Sequence, residues 1–206
     1  MKLQTIISNV ISAIIQPIFI PIYGYTMLLS GDPFLSTLTS ESKIFVWMVV
    51  FCTTSLLPAV LVLSMVYMGK ISNTFISNKE ERHLPYIVSF IGYMFCCYLL
   101  LRGGMDMIYV APIIGTGIGV IIIFSINTKW KISAHLSTMG GMTGGLIAYS
   151  MIFGVNILPL IIISVLASGI LGWARIILKA HTLAQVYCGW LFGFSFVVIA
   201  WFIAAN

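Results

Sequence analysis

The chain has 206 residues, of which 60% are hydrophobic and 7% charged, and its formal net charge is +5. An ordinary soluble domain carries roughly 25% charged residues, so this composition excludes a water-facing globular surface. The basic residues sit at the borders of apolar stretches, where anionic lipid headgroups account for them, so membrane lipids are expected partners and nucleic acid is set aside.

Seven apolar segments follow one another at roughly 6–29, 44–68, 85–101, 107–125, 135–153, 157–177 and 181–203. Their length matches a ~30 Å hydrocarbon core at ~1.5 Å per helical residue, and the alternation that barrel strands require is missing. The expected fold class is therefore all-α, a polytopic membrane bundle of about seven transmembrane helices forming a single membrane domain over residues 1–206. The first segment starts after Lys2 and contains Pro17 and Pro21. It runs past signal-peptide length without a clean cleavage site, which predicts a retained, kinked first helix. Cys52, Cys96, Cys97 and Cys188 all fall inside predicted spans and read as buried packing thiols, with no metal-ligand spacing to the histidines. Glycines four apart, Gly115 and Gly119, Gly140 and Gly144, Gly141 and Gly145, Gly189 and Gly193, share a helix face in each case and predict close helix packing.

Polar residues at the ends of apolar spans are costly and tend to mark function. Three clusters occur: 77–85, with Lys79, Arg82 and His83; 129–135, with Ser133 and His135; and Arg175, Lys179, His181 and Gln185. Two spans separate each cluster from the next, so all three emerge at one end of the bundle. The other end holds Asp32, Glu41, Lys43, Arg102 and Asp106. Lys2, Lys70, Lys129 and Lys131 fit the positive-inside bias, which puts the clustered end on the cytoplasmic face of a cell (bacterial inner) membrane. Topology does not explain two histidines and an arginine beside apolar helices, so His135, Arg175 and His181 are the functional candidates. His181, Gln185, Gly189 and Gly193 recur every four residues, which aims the Gln185 amide at the His181 imidazole as an orienting partner. Arg175 offers a planar fork for two phosphate oxygens.

The run from Arg175 through His181 and Gln185 to Gly193 resembles the third signature of the type 2 phosphatidic acid phosphatase superfamily: Ser-Arg, five residues, His, three residues, Asp, then a glycine-rich helix. Ile132-Ser133-Ala134-His135 is similar to that family's second signature, Pro-Ser-Gly-His, and Arg82-His83-Leu84-Pro85 echoes the first, Lys, six residues, Arg-Pro. The resemblance covers roughly residues 79–194 and describes a divergent member of the superfamily. Gln185 stands where the family has Asp, Ala174 replaces Ser, Ala134 replaces Gly, Ile132 replaces Pro, Phe75 holds the lysine position, and Arg82 and Pro85 are not adjacent.

The resemblance implies hydrolysis or transfer of phosphate from a lipid phosphate or diphosphate through a phosphohistidine. His181 would attack phosphorus and His135 would protonate the leaving oxygen. Arg82, Arg175, Ser133 and, in place of the missing lysine, Lys79 would bind the phosphoryl oxygens. No metal or other cofactor is expected. The alternative reading is a noncatalytic or transport relative that binds a phosphorylated lipid, and a third is a structural polytopic protein whose histidines cap helices.

Overall fold

The computed structural model describes residues 2–72, 81 and 83–206. Among these residues the regular structure is entirely helical. The α-helices are α1 (Lys2–Ile14), α2 (Ile20–Gly31), α3 (Ser40–Val50), α4 (Leu57–Tyr67), α5 (His83–Arg102), α6 (Met107–Lys129), α7 (Ala134–Phe153), α8 (Leu158–Ile177) and α9 (Leu183–Ala205). A 3-10 turn, Pro17–Phe19, separates α1 from α2, and a π-helical stretch, Phe51–Leu56, joins α3 to α4.

Among the described residues, six stretches are long and apolar enough to cross a bilayer: Lys2–Gly31, Ser40–Tyr67, His83–Arg102, Met107–Lys129, Leu158–Ile177 and Leu183–Ala205. The surface agrees, because large aliphatic side chains such as Leu3, Met151, Leu166 and Ile203 face outward while Ser8, Ser12, Thr54 and Thr143 are buried. That inversion of soluble-protein patterning belongs to a chain whose solvent is hydrocarbon. The protein is an integral membrane protein. Helix α7 is as long as α5 and α8 but is not one of these six, and glycine, serine, threonine and His135 take many of its positions. It lies inside the bundle, packed against α2, α6, α8 and α9.

Local chemistry sets the helix ends. Thr39, Asp106, Ser133 and Thr182 each accept a hydrogen bond from a backbone N–H of the first turn of α3, α6, α7 and α9. Gly154 ends α7 in the left-handed region at φ 66°, where a Cβ would be strained. In the first apolar run the expected kink is a full break. Pro17 disfavours helical geometry in the residue before it, and Gln16 is accordingly extended at ψ 135°. Ile20 packs with Leu136 and Met139 at the start of α7, whereas Asp32 meets Tyr149 near its end. Helix α2 therefore covers the distance between the two ends by itself, and α1 packs on α8 through a face that includes the buried Ser8 and Ser12.

The π stretch was not legible from sequence, and it buries the polar run Thr53-Thr54-Ser55. Thr53 and Thr54 hydroxyls donate to the carbonyls of Val49 and Val50 at 2.7 and 2.8 Å, and Ser55 donates to Ile18 at 2.6 Å. The last of these ties the π stretch to the break before α2. Of the cysteines, Cys96 and Cys97 are buried as expected, Cys52 is half-buried, and Cys188 departs from the expectation by lying on the outer face of α9.

At the end away from the histidines, Asp32 is buried rather than sitting in a solvated loop. Its carboxyl accepts from the Leu35 amide (2.7 Å), the Tyr149 hydroxyl (2.8 Å) and the Tyr109 hydroxyl (3.2 Å). This ties α2, α6 and α7 together. Tyr149→Phe removes one of these bonds while keeping ring packing, and is expected to destabilise the protein by about 2 kcal/mol. A thermal unfolding midpoint in detergent that matches wild type would show that the carboxyl needs only its other donors.

Candidate active site

His181 and Gln185, four positions apart, meet at the start of α9 through a turn and a helix cap instead of along one helix face. His181 precedes the helix in the turn after α8, and Gln185 is the third residue of α9. The Gln185 amide oxygen accepts from the Thr182 backbone N–H (3.1 Å) while the Thr182 hydroxyl accepts from the Gln185 N–H (3.4 Å), a reciprocal capping box that fixes the glutamine side chain. The same oxygen lies 3.2 Å from His181 Nδ1. A second acceptor, which the sequence does not advertise, is the Lys131 carbonyl at 3.1 Å from Nδ1. A carbonyl can only accept, so Nδ1 carries the proton, and in the neutral ring Nε2 holds the lone pair. His181 is thereby presented in the tautomer suited to nucleophilic attack.

His135, the second residue of α7, is buried and held from the first apolar run. Its Nε2 lies 3.3 Å from the Ser12 carbonyl and 3.1 Å from the Gln16 amide oxygen. Both contacts depend on the break at Gln16, which turns the end of α1 and its following residue onto the start of α7. Gln16 is a site residue that sequence reasoning missed, because a glutamine in a presumed transmembrane helix carries no spacing signal toward a histidine more than a hundred positions away.

The two imidazoles line one cavity of about 270 Å³. Its walls come from the break (Gln16, Pro17, Ile18), from α4 (Pro58 and Leu63 among others), from the start of α5 (Pro85, Tyr86, Ser89) and from Ala134 beside His135. Leu63 on this wall is also exposed.

Other predicted residues are placed differently. Ser133 is fully buried and its hydroxyl caps α7 by accepting from Leu136 N–H at 3.4 Å, so its oxygen is engaged locally. Arg175 is buried in the last turn of α8, six residues before His181, and is not among the described residues lining the cavity. Lys79 and Arg82 lie outside the described residues, directly ahead of the Pro85 and Tyr86 that do line it. Lys179, in the turn between Arg175 and His181, adopts φ 51°. This left-handed residue closes α8: Ala180 N–H donates to the Arg175 carbonyl at 3.0 Å and Lys179 N–H to the Ile176 carbonyl at 2.8 Å, the usual pattern of a helix C-terminus. No protein-family model, curated protein or solved structure matches this chain, so the assignment of its function rests on the geometry above.

Proposed function

We propose that this protein is a membrane lipid phosphatase or phosphotransferase, acting on a lipid phosphate or diphosphate through a phosphohistidine on His181. The carrying observation is that His135 and His181, from different helices, line one cavity, with His181 Nδ1 engaged by a backbone carbonyl. In this reading α7 is a seventh membrane crossing, the fold is the phosphatidic acid phosphatase-like core suggested by the sequence resemblance, and the histidine end faces the cytoplasm of a bacterial cell.

The reaction is a double displacement. The Nε2 lone pair of His181 attacks phosphorus, the bond from phosphorus to the lipid oxygen breaks, and His135 as imidazolium gives that oxygen its proton. Water then attacks the phosphohistidine, His135 takes a proton from the water, and the N–P bond breaks to release phosphate. If a second alcohol replaces water, the same steps transfer phosphate. Arg175, Arg82 and Lys79 are assigned to the phosphoryl oxygens, where charge spreads in the transition state. The lipid reaches the cavity sideways past α4.

A panel of radiolabelled alkyl phosphate, diacylglycerol phosphate and prenyl diphosphate, quenched during turnover, tests the reading. Acid-labile, base-stable label on His181 is expected for at least one of them. If none labels the protein or releases phosphate, the noncatalytic phospholipid-binding reading replaces it. That second reading is favoured by the Gln185 amide at 3.2 Å from His181 Nδ1, since a neutral amide cannot stabilise positive charge on the ring as a carboxylate does.

Gln185→Glu offers a graded test. Glutamate at the third helical position preserves the capping box with Thr182, and it places a carboxylate beside Nδ1 that stabilises positive charge on the ring. Phosphate release is expected to rise about tenfold, the equivalent of roughly one unit of imidazole basicity. A fall in rate with an unchanged unfolding midpoint would show that the amide, not a carboxylate, is what the site requires.

A further inference from the structure

A second, narrower cavity of about 170 Å³ adjoins the histidine cavity and shares Pro17, Ile18, Tyr86, Ser89 and Ala134 with it. It runs down the inside of the bundle between α2, α5, α6, α7 and α9. Along α7 its lining repeats at helical spacing from Ala134 through Gly141 and Gly145 to Tyr149, so one whole face of that helix borders it. Fifteen residues at ~1.5 Å each make it about 22 Å long, more than the ~15 Å that one leaflet of a ~30 Å hydrocarbon core provides. None of the described residues lining it is an Asp, Glu, Lys or Arg.

The glycines explain why the space exists. A Cβ on Gly119 would meet only the Phe196 side chain, at 3.8 Å, and one on Gly24 only the Met142 sulfur, at 3.5 Å. Both positions have room for a side chain and have none. Helix packing does not demand glycine there, unlike at the crossing of α7 and α9, where an added methyl would strike backbone.

We propose that this cavity receives the single hydrocarbon chain of a one-chain lipid phosphate, whose phosphate lies between His135 and His181. The identity of the headgroup rests on the function proposed above, whereas the chain site rests on the cavity itself. Three observations select this occupant: the described lining carries no charged side chain, the cavity adjoins the histidine cavity at five shared residues, and a volume of about 170 Å³ spread along about 22 Å leaves room for one chain across its width. The protein would thus draw one chain out of the bilayer into its interior, and substrates with two chains would be disfavoured.

The test uses hexadecyl phosphate carrying a photoreactive diazirine at the far end of the chain, the matching hexadecanol, and the full-length protein in bilayer nanodiscs. Crosslinks are expected at the deep end of the cavity, on Tyr149, Trp201 or Leu28, and are expected to fall at least tenfold in Gly119→Leu. Crosslinks confined to outward-facing residues such as Leu166 or Ile203 would overturn the proposal, whatever the protein hydrolyses. Deep crosslinks from the alcohol as strong as those from the phosphate would keep the chain site and remove the phosphate reading. A second variant, Gly24→Ala, guards against misfolding, since it is expected to weaken deep crosslinking without changing the unfolding midpoint. Deep crosslinking that persists at wild-type strength in both folded variants would show that the label reaches those residues without passing along this cavity, and would overturn the proposal.

Discussion

Changing His181 to asparagine is expected to lower phosphate release from a lipid phosphate by about 10⁴-fold or more while leaving the unfolding midpoint close to wild type. The two outcomes separate because the imidazole has two jobs on two nitrogens. Its Nδ1–H donates to the Lys131 carbonyl, 3.1 Å away, and so joins the turn before α9 to the segment before α7. The asparagine amide nitrogen sits near the position of Nδ1 and keeps that donor, but nothing in asparagine replaces Nε2. Glutamine inverts the test, since its amide nitrogen reaches the Nε2 position and leaves Lys131 without its donor. Inactivity with intact stability for asparagine, together with lowered stability for glutamine, is the expected pair. Asparagine retaining more than about a tenth of wild-type activity would remove His181 as nucleophile, because loss of an attacking group is not rescued by binding alone.

Much of this arrangement was legible in the chain because it depends on short separations along it. Six of the seven apolar segments correspond to stretches long and apolar enough to cross a bilayer and the other to α7, and the four-residue step from His181 to Gln185 sets an amide against an imidazole. The partners that came from elsewhere were not legible. The carbonyls of Lys131 and Ser12 carry no sequence signature, since every residue has one. Gln16 became a partner of His135 only because Pro17 broke the helix there, and the prolines predicted a kink without its direction. Ser133, expected as a phosphate ligand, also caps α7 by accepting from Leu136 N–H, a role that the expectation did not include and that leaves its O–H as a donor. Asp32 looked like any acid at a membrane border. Burial with two tyrosine hydroxyls depends on α6 and α7 arriving beside it, which no local pattern encodes.

The glycines divide into two classes that the sequence cannot distinguish, and the division yields a second large effect. At the crossing of α7 and α9, a Cβ on Gly140 would run into the Trp190 carbonyl and one on Gly193 into the Ser137 carbonyl. Gly144 and Gly189 face Phe194 and Ser133 carbonyl oxygens at 2.7 Å in the same way. Backbone atoms in two regular helices cannot turn aside as a side chain can, so a single methyl must push the helices apart along the whole seam. No hydrophobic force drives helices together in lipid, so the dispersion attraction between two closely packed backbones is itself what associates α7 with α9. Gly140→Ala and Gly193→Ala are each expected to destabilise by about 3 kcal/mol or more, at the upper end for overpacking. They are also expected to disturb the site, because the same seam sets Ser133 and His135 against Gln185 and His181. Gly169→Ala on α8 is the contrast: a Cβ there meets nothing within 4 Å, and removing glycine from a helix interior is expected to stabilise by about 0.5–1 kcal/mol. Unfolding midpoints of the three variants in one detergent decide the matter. If the seam variants and Gly169→Ala shift together, close backbone packing is not what holds α7 to α9, and the placement of both histidines would need another cause.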